Sequence, residues 1–293
     1  MTRMRVAVTG ASGFVGQALV PALRERGHEV LALDRTTVGD IAAFTGWKSR
    51  LAGSDVVVHL AGLAHARGVD EARVLAVNVD AALAIGNAAA AVGTRMLQMS
   101  SIKVLGDATP QQPFDEASPL APQGAYARAK AAAETGLRAV SGLSLTVVRP
   151  PLVYGPGVKA NFLALMRAIA RGWPLPLASI QNRRSVLYVG NLAEAVVRCV
   201  ESPQASGKTY GVTDGAPLST PALCRALGSA LGRPARLIHF PPVLLDLAPR
   251  AAVLTRSLVV DDSALRRDLG WAPVHGFDEG VRRTADWFRT QGG

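Results

Sequence analysis

Cysteine, aromatic residues and blocks of like charge are all scarce in this 293-residue chain, and each shortage excludes something. Two cysteines, Cys199 and Cys224, cannot build a disulfide framework, and neither has His or Cys at metal-ligand spacing. Both read as packing residues, and no metal is expected. No five-residue block of like charge occurs, and the few aromatics do not interleave with basic residues. The net charge of +10 therefore does not describe a nucleic-acid platform. The arginines are scattered and read as a solvated surface, with a few reserved for an anionic small molecule. Uninterrupted apolar runs are short as well: Pro241 to Val260 is cut by Asp246, Arg250 and Arg256, too soon for a bilayer span. No membrane insertion is expected. The opening MTRMRVAVTG carries neither a long apolar region nor a small-residue cleavage site, so a cytoplasmic location is expected.

What is present suits a globular protein. Hydrophobic residues at 49% and charged residues at 18% leave the disorder-prone corner of composition far away. The length allows one large or two modest domains. MRVAVTG (4–10) is a short β-branched run ending in glycine, and residues 13–27 carry apolar residues at helical spacing, closed by Gly27. HEVLALDR (28–35) and DVVVHLAG (55–62) read as further strands, 78–93 as a helix, RMLQMSS (95–101) as a strand, and 143–156 as another ending in a Pro-Pro break. Such alternation implies a parallel sheet covered on both faces.

In TGASGFVG, glycines fall at Gly10, Gly13 and Gly16, between a predicted strand and a predicted helix. Glycine permits the tight turn, the close approach of backbone N–H groups to a diphosphate, and close helix–sheet packing. Asp34 ends the next strand, near the spacing expected for an acid that binds the adenosine ribose. A carboxylate there favours NAD, whereas the guanidinium of Arg35 beside it can neutralise a 2′-phosphate, so both NAD and NADP stay open.

The strand RMLQM runs into Ser100 and Ser101 where a turn residue would be ordinary. Two hydroxyls at a strand end either cap a loop or face a ligand. Downstream, AYARAK sets Tyr126 and Lys130 four apart, on one face of a helix. An ammonium there can stabilise a phenolate and bring tyrosine, ordinarily near pKa ~10, into acid/base range.

Taken together, TGASGFVG, GDI (39–41), DVVVHLAG, NVD (78–80), the serine pair, YARAK, RPPLVYGPG (149–157) and RRSVLYVGNLAEAV (183–196) closely resemble the extended short-chain dehydrogenase/reductase family, the NAD-dependent epimerases and dehydratases. The likeness covers nearly the whole chain. It implies an α/β fold: a Rossmann-type doubly wound parallel sheet with a smaller C-terminal α/β substrate domain. The implied division gives 1–153, with 181–200 returning, to the NAD(P)-binding domain, and 154–180 and 201–293 to the substrate domain. A homodimer is implied too, through the helix carrying the Tyr and Lys.

Carried over by resemblance, Tyr126 is the acid/base, Lys130 its pKa-lowering and ribose-binding partner, and Ser101 the hydroxyl that orients the substrate. Phe14 and Val15 would offer N–H groups to the diphosphate, Asp40 and Ile41 would hold the adenine, and Leu60, Ala61 and Gly62 would line the cofactor bed. Asn78 would be a structural, cofactor-side residue, and Pro150 to Val153 would pack on the nicotinamide. Asn161, Arg184 and Arg256 would meet the diphosphate of a UDP-sugar substrate. His59 and His65 read as core or loop residues.

SSIKVLG has Leu105 where the family usually has tyrosine. With NRRS (182–185), this form most resembles a bacterial branch acting on UDP-linked N-acetylated 6-deoxy sugars in polysaccharide synthesis. The leading expectation is a 4-ketoreductase of a UDP-4-keto-6-deoxy-N-acetylhexosamine. A UDP-sugar 4-epimerase with tightly held NAD uses the same residues, and a non-catalytic dinucleotide-binding regulatory or assembly protein stands as the alternative of another class. A 4,6-dehydratase is disfavoured, because Ile102 and Lys103 stand where that chemistry in the family uses an Asp-Glu pair.

Overall fold

A computed structural model describes residues 2–64, 68–109, 111–246 and 254–291, with the side chain of Asp246 outside the description. His65 lies outside the described residues. Strands β1 (Arg5–Thr9), β2 (Glu29–Leu33), β3 (Val56–His59), β4 (Arg95–Met99), β5 (Leu145–Arg149) and β8 (Thr209–Gly211) form one parallel sheet in the order β2-β1-β3-β4-β5-β8. The order reverses direction at β1, which opens a crevice at the carboxyl ends of β1 and β3.

Both faces of the sheet are covered, which explains why the strands read as unbroken apolar runs. On β1, Val6 and Val8 point into one core while Ala7 points into the other. The first core holds helix α1 (Phe14–Glu25) against the later helix α8 (Val189–Glu201), through Leu19, Leu23, Leu192 and Val196. The second packs α3 (Trp47–Leu51), α5 (Ala81–Val92) and α6 (Gly124–Arg138), through Trp47, Ile85, Ala89 and Leu137. Each fully buried leucine in these layers contributes about 1.5–3 kcal/mol. Short helix α2 (Arg35–Val38) follows β2, and α4 (Glu71–Leu75) runs through a π-helical turn, Ala76–Asp80, into α5. By length and composition the run Glu71–Val92 could cross a bilayer, but half of its apolar window is buried inside the protein, where α5 serves as a core helix.

A second lobe begins after the Pro150-Pro151 break. That break splits the single predicted strand 143–156 in two, since proline cannot donate to a ladder: β5 stays in the main sheet, while β6 (Leu152–Tyr154) pairs in parallel with β7 (Val186–Tyr188). Helices α7 (Ala160–Ala170), α9 (Thr220–Ala230) and α12 (Phe277–Thr290) pack around Tyr154, Phe162, Met166, Tyr188, Leu227, Val281 and Phe288. Helices α10 (Pro242–Asp246) and α11 (Ser263–Leu269) lie between α9 and α12 in sequence. Strand β8 comes from within 201–293 yet extends the main sheet beside β5, so the chain crosses between the lobes more often than the expected division implies.

Candidate active site

Backbone shape builds the floor of the crevice. Gly10 ends β1 at φ +70°, with its N–H on the Leu33 carbonyl (2.9 Å), so the turn is tied to the end of β2. A Cβ on Gly10 would lie 2.8 Å from the Ala61 nitrogen, and one on Gly16 would lie 2.4 Å from the carbonyl oxygens of Gly10 and Ala11. Only glycine fits at either position. Gly13 caps α1, whose first-turn N–H groups, on Phe14 and Val15 among others, have no partner within the helix and form its electropositive end. Leu60, Ala61 and Gly62 follow β3 alongside this turn. A Cβ on Gly62 would meet Asn78 Oδ1 at 2.7 Å and Lys130 Nζ at 3.2 Å, so that wall too is kept bare.

Asn78 is fully buried within the π-helical turn. It accepts from Leu63 N (3.1 Å) and donates to the Val74 carbonyl (3.0 Å), which fixes the loop after Gly62. Asp34 caps α2, accepting from the N–H (3.0 Å) and hydroxyl (2.6 Å) of Thr36. Those bonds hold its carboxyl below the usual range and keep it an anion at the end of β2. Arg35 is exposed beside it. Asp40 is bound to Arg73 (2.8 Å), a residue that sequence reasoning did not single out, and this contact lowers its pKa. Ile41 packs on the core under α3.

The serine pair divides its labour. Ser101 caps the short 3₁₀ turn Ile102–Val104, its Oγ accepting from Lys103 N (3.3 Å), and its hydroxyl lies near enough to the Tyr126 phenol to draw that group's pKa down. Ser100 is buried and donates to Glu134 (2.5 Å). Lys130, one turn beyond Tyr126 on α6, is 3% exposed and donates to the Met99 carbonyl (2.9 Å). Burial lowers its pKa to about 8, against an upward pull from Glu134. Burial raises Tyr126 to about 12, with the nearby Ser101 hydroxyl pulling the other way. This departs from the expected fall. Desolvation of the phenolate outweighs the stabilising contacts, and the Lys130 ammonium is directed at a carbonyl, so in the protein alone Tyr126 is a neutral phenol.

His59 is fully buried at the end of β3, where its Nδ1 meets the Thr9 hydroxyl (2.6 Å). Burial, and then the charge of Lys130, lower its pKa to about 3, so it is a neutral core residue. Cys199 and Cys224 are buried, with thiol pKa values pushed up to about 12 by desolvation. Among the described residues, no group of three or more His, Cys, Asp or Glu could hold a metal ion.

On the second lobe, Pro150 and Val153 flank the strand break beside β5. Arg184 donates from Nη1 to the Arg256 carbonyl (3.0 Å), so these two candidates meet. Burial lowers the Arg184 pKa, while nearby Asp107 raises it. Arg256 is exposed, as is Asn161 in the first turn of α7, next to Ala160 at an unusual φ of +54°. Sequence reasoning missed the buried Glu134–Arg149 pair (2.7 Å) behind the serines. Its available signals were the four-residue step from Lys130 to Glu134 and an arginine at the last position of an apolar strand.

Comparisons with known proteins agree with this geometry. Residues 6–212 match the NAD dependent epimerase/dehydratase family. A UDP-glucose 4-epimerase of Vibrio cholerae is 35% identical over 311 residues, taking in 97% of this chain and 95% of the relative. A dTDP-4-dehydrorhamnose reductase of Mycobacterium tuberculosis is 31% identical over 204 residues, 68% of this chain and 66% of the relative. Among solved structures, the Thermus thermophilus UDP-glucose 4-epimerase in complex with NAD superposes with a TM-score of 0.80 at 26% identity, covering 98% of this chain and 99% of that one.

Proposed function

Because the chain belongs to the NAD-dependent epimerase/dehydratase family, an enzyme family that uses NAD(P), we propose that it acts at C4 of a UDP-sugar, as the 4-ketoreductase of a UDP-4-keto-6-deoxy-N-acetylhexosamine. The observation that carries this reading is the Ser101 hydroxyl set beside the Tyr126 phenol, with the buried Lys130 one helical turn on, at the open end of β4.

The residues present fit a dinucleotide. Gly10, Gly13 and Gly16 leave room for its diphosphate against the N–H groups of Phe14 and Val15, and Gly62 leaves room beside Asn78 and Lys130. Asp34 and Arg35 are assigned to the ribose end, Asp40 and Ile41 to the adenine, and Pro150 and Val153 to the nicotinamide. Bound NAD(P)H supplies the hydride. Tyr126 gives its phenolic proton to the oxygen developing negative charge at C4, and Ser101 holds that oxygen by a hydrogen bond. A phenol, protonated at neutral pH as tyrosine ordinarily is, can donate first, as reduction requires. Lys130 stabilises the phenolate left behind. Arg184, with Arg256 and Asn161, is assigned to the sugar-nucleotide diphosphate.

An epimerase is the second reading, favoured by the likeness to the Vibrio cholerae enzyme. The two differ in what the purified protein carries. A reductase exchanges its cofactor each turnover, so denatured protein should release little dinucleotide; near-equimolar NAD⁺ in the supernatant would favour the epimerase. The reading further assigns a homodimer through α6, a cytoplasmic location and a role in polysaccharide synthesis.

A further inference from the structure

Three consecutive residues at the end of β4 each meet one residue of α6, at successive turns of that helix. Tyr126 lies beside the Ser101 side chain, Lys130 Nζ donates to the Met99 carbonyl at 2.9 Å, and Glu134 accepts from Ser100 Oγ. Tyr126 and Lys130 have assigned tasks; Glu134 has none. Yet Glu134 is 1% exposed and ties down more than Ser100. It takes a two-point grip from Arg149, Nε to Oε1 at 3.1 Å and Nη2 to Oε2 at 2.7 Å, and Arg149 directly precedes Pro150. One carboxylate therefore joins the helix of the acid/base pair to both strand ends that border the site.

We propose that Glu134 is a positioning residue: with Ser100 and Arg149 it fixes Tyr126 and Lys130 against Ser101 and against the segment Pro150–Val153. This rests on the roles assigned above to Ser101, Tyr126 and Lys130. A charged pair buried this deeply costs desolvation that its mutual attraction barely offsets, and apolar residues would hold the same helix as well or better. Its use is geometric. A bidentate guanidinium–carboxylate contact fixes both distance and plane, which apolar packing does not. Glu134 also supplies negative charge near Lys130, offsetting the burial that works against the ammonium. Neutral His59 on β3 also faces Lys130, and Tyr126 stands one turn before it on the same helix. On the outer side of Glu134, Arg138, Lys208 and Arg267, with Glu116 and Asp268, line an open cavity of about 530 Å³ whose lining includes neither Ser101 nor Tyr126.

The test is Glu134→Gln, which keeps shape and removes charge, assayed with NAD(P)H and the keto-sugar across pH. The expected result is a fall in kcat of roughly 10- to 100-fold, as displaced catalytic geometry produces, while sugar KM changes less than about two-fold. The high-pH limb of the rate profile should move to lower pH, because Lys130 loses its proton sooner. An unchanged kcat with an unmoved limb would overturn the proposal. If Glu134→Gln does not fold, the double variant Glu134→Met/Arg149→Met removes the unpaired charge and should fold; it must be slow with the shifted limb, and wild-type kcat there would overturn the proposal as well. Failure of the underlying reading is separable, since it would appear as full activity in Tyr126→Phe whatever Glu134 does.

Discussion

At the glycine turn the backbone does the shaping, whereas the lobe after β5 is held by side chains that reach across long gaps in sequence. Adding one carbon to Gly10 or Gly16 brings it within 3 Å of fixed main-chain atoms. In the second lobe, Asp214 accepts from the Tyr154 hydroxyl (3.0 Å), Tyr188 N (2.8 Å) and Asn191 Nδ2 (2.7 Å), joining β6, β7 and α8. Asn182 similarly gathers the carbonyls of Leu254 and Arg256 and the N–H of Thr220. A surface made of backbone suits a ligand that stays the same across the family, the dinucleotide. One made of side chains can be altered residue by residue, which suits the substrate, the ligand that differs between enzymes.

The largest effect that would sharpen this contrast comes from the boundary between the two regions. Tyr126→Phe should lower turnover by at least ~100-fold, the usual contribution of a general acid, with cofactor affinity nearly intact because the ring still packs. Steady-state rates and dinucleotide titration check it, and retention of more than about a tenth of wild-type activity would contradict the assigned role. Next comes the side-chain-built region. Arg184→Ala should raise the apparent substrate constant roughly 10- to 100-fold, as loss of a charge-assisted contact worth ~1.5–3 kcal/mol implies, and should leave cofactor binding alone. Equal weakening of both ligands would erase the distinction drawn here.

In the backbone-built region, Gly16→Ala should destabilise the fold by about 1–3 kcal/mol through overpacking, and should weaken the dinucleotide more than the sugar nucleotide. Urea unfolding and separate ligand titrations measure both. The smallest effects belong to the ribose end. Asp34→Ala should weaken NAD(H) by more than NADP(H), and Arg35→Ala the reverse, each by roughly the factor of 10 that ~1.4 kcal/mol represents. Parallel losses for both cofactors in both variants would show that neither side chain reads the ribose.

The same contrast explains what the sequence reveals. Gly10 and Gly16 announce themselves because a steric requirement leaves only one residue type, and Tyr126 and Lys130 because one helical turn separates them. The order of alternating strands and helices follows from periodicity, and β1 to β5 stand where the apolar runs lie. Strand β8, three residues long, has too little pattern to be seen. The elevated pKa of Tyr126 could not be read from a four-residue spacing, since it depends on how much water the fold removes. Glu134 and Asp214 were hard to read for a related reason: spacing and strand position hint at a partner, but a carboxylate's burial shows only when that partner, 15 to 60 residues away, is brought to it.

The central claim is that Tyr126, Lys130 and Ser101 serve a net reduction at C4. Following reduced-cofactor absorbance and sugar composition together, with UDP-4-keto-6-deoxy-N-acetylhexosamine as substrate, tests it most directly. The expected result is one NAD(P)H oxidised for each 4-keto group reduced, with the rate abolished in Tyr126→Phe. Interconversion of C4-epimeric UDP-sugars with no net consumption of reduced cofactor would contradict it.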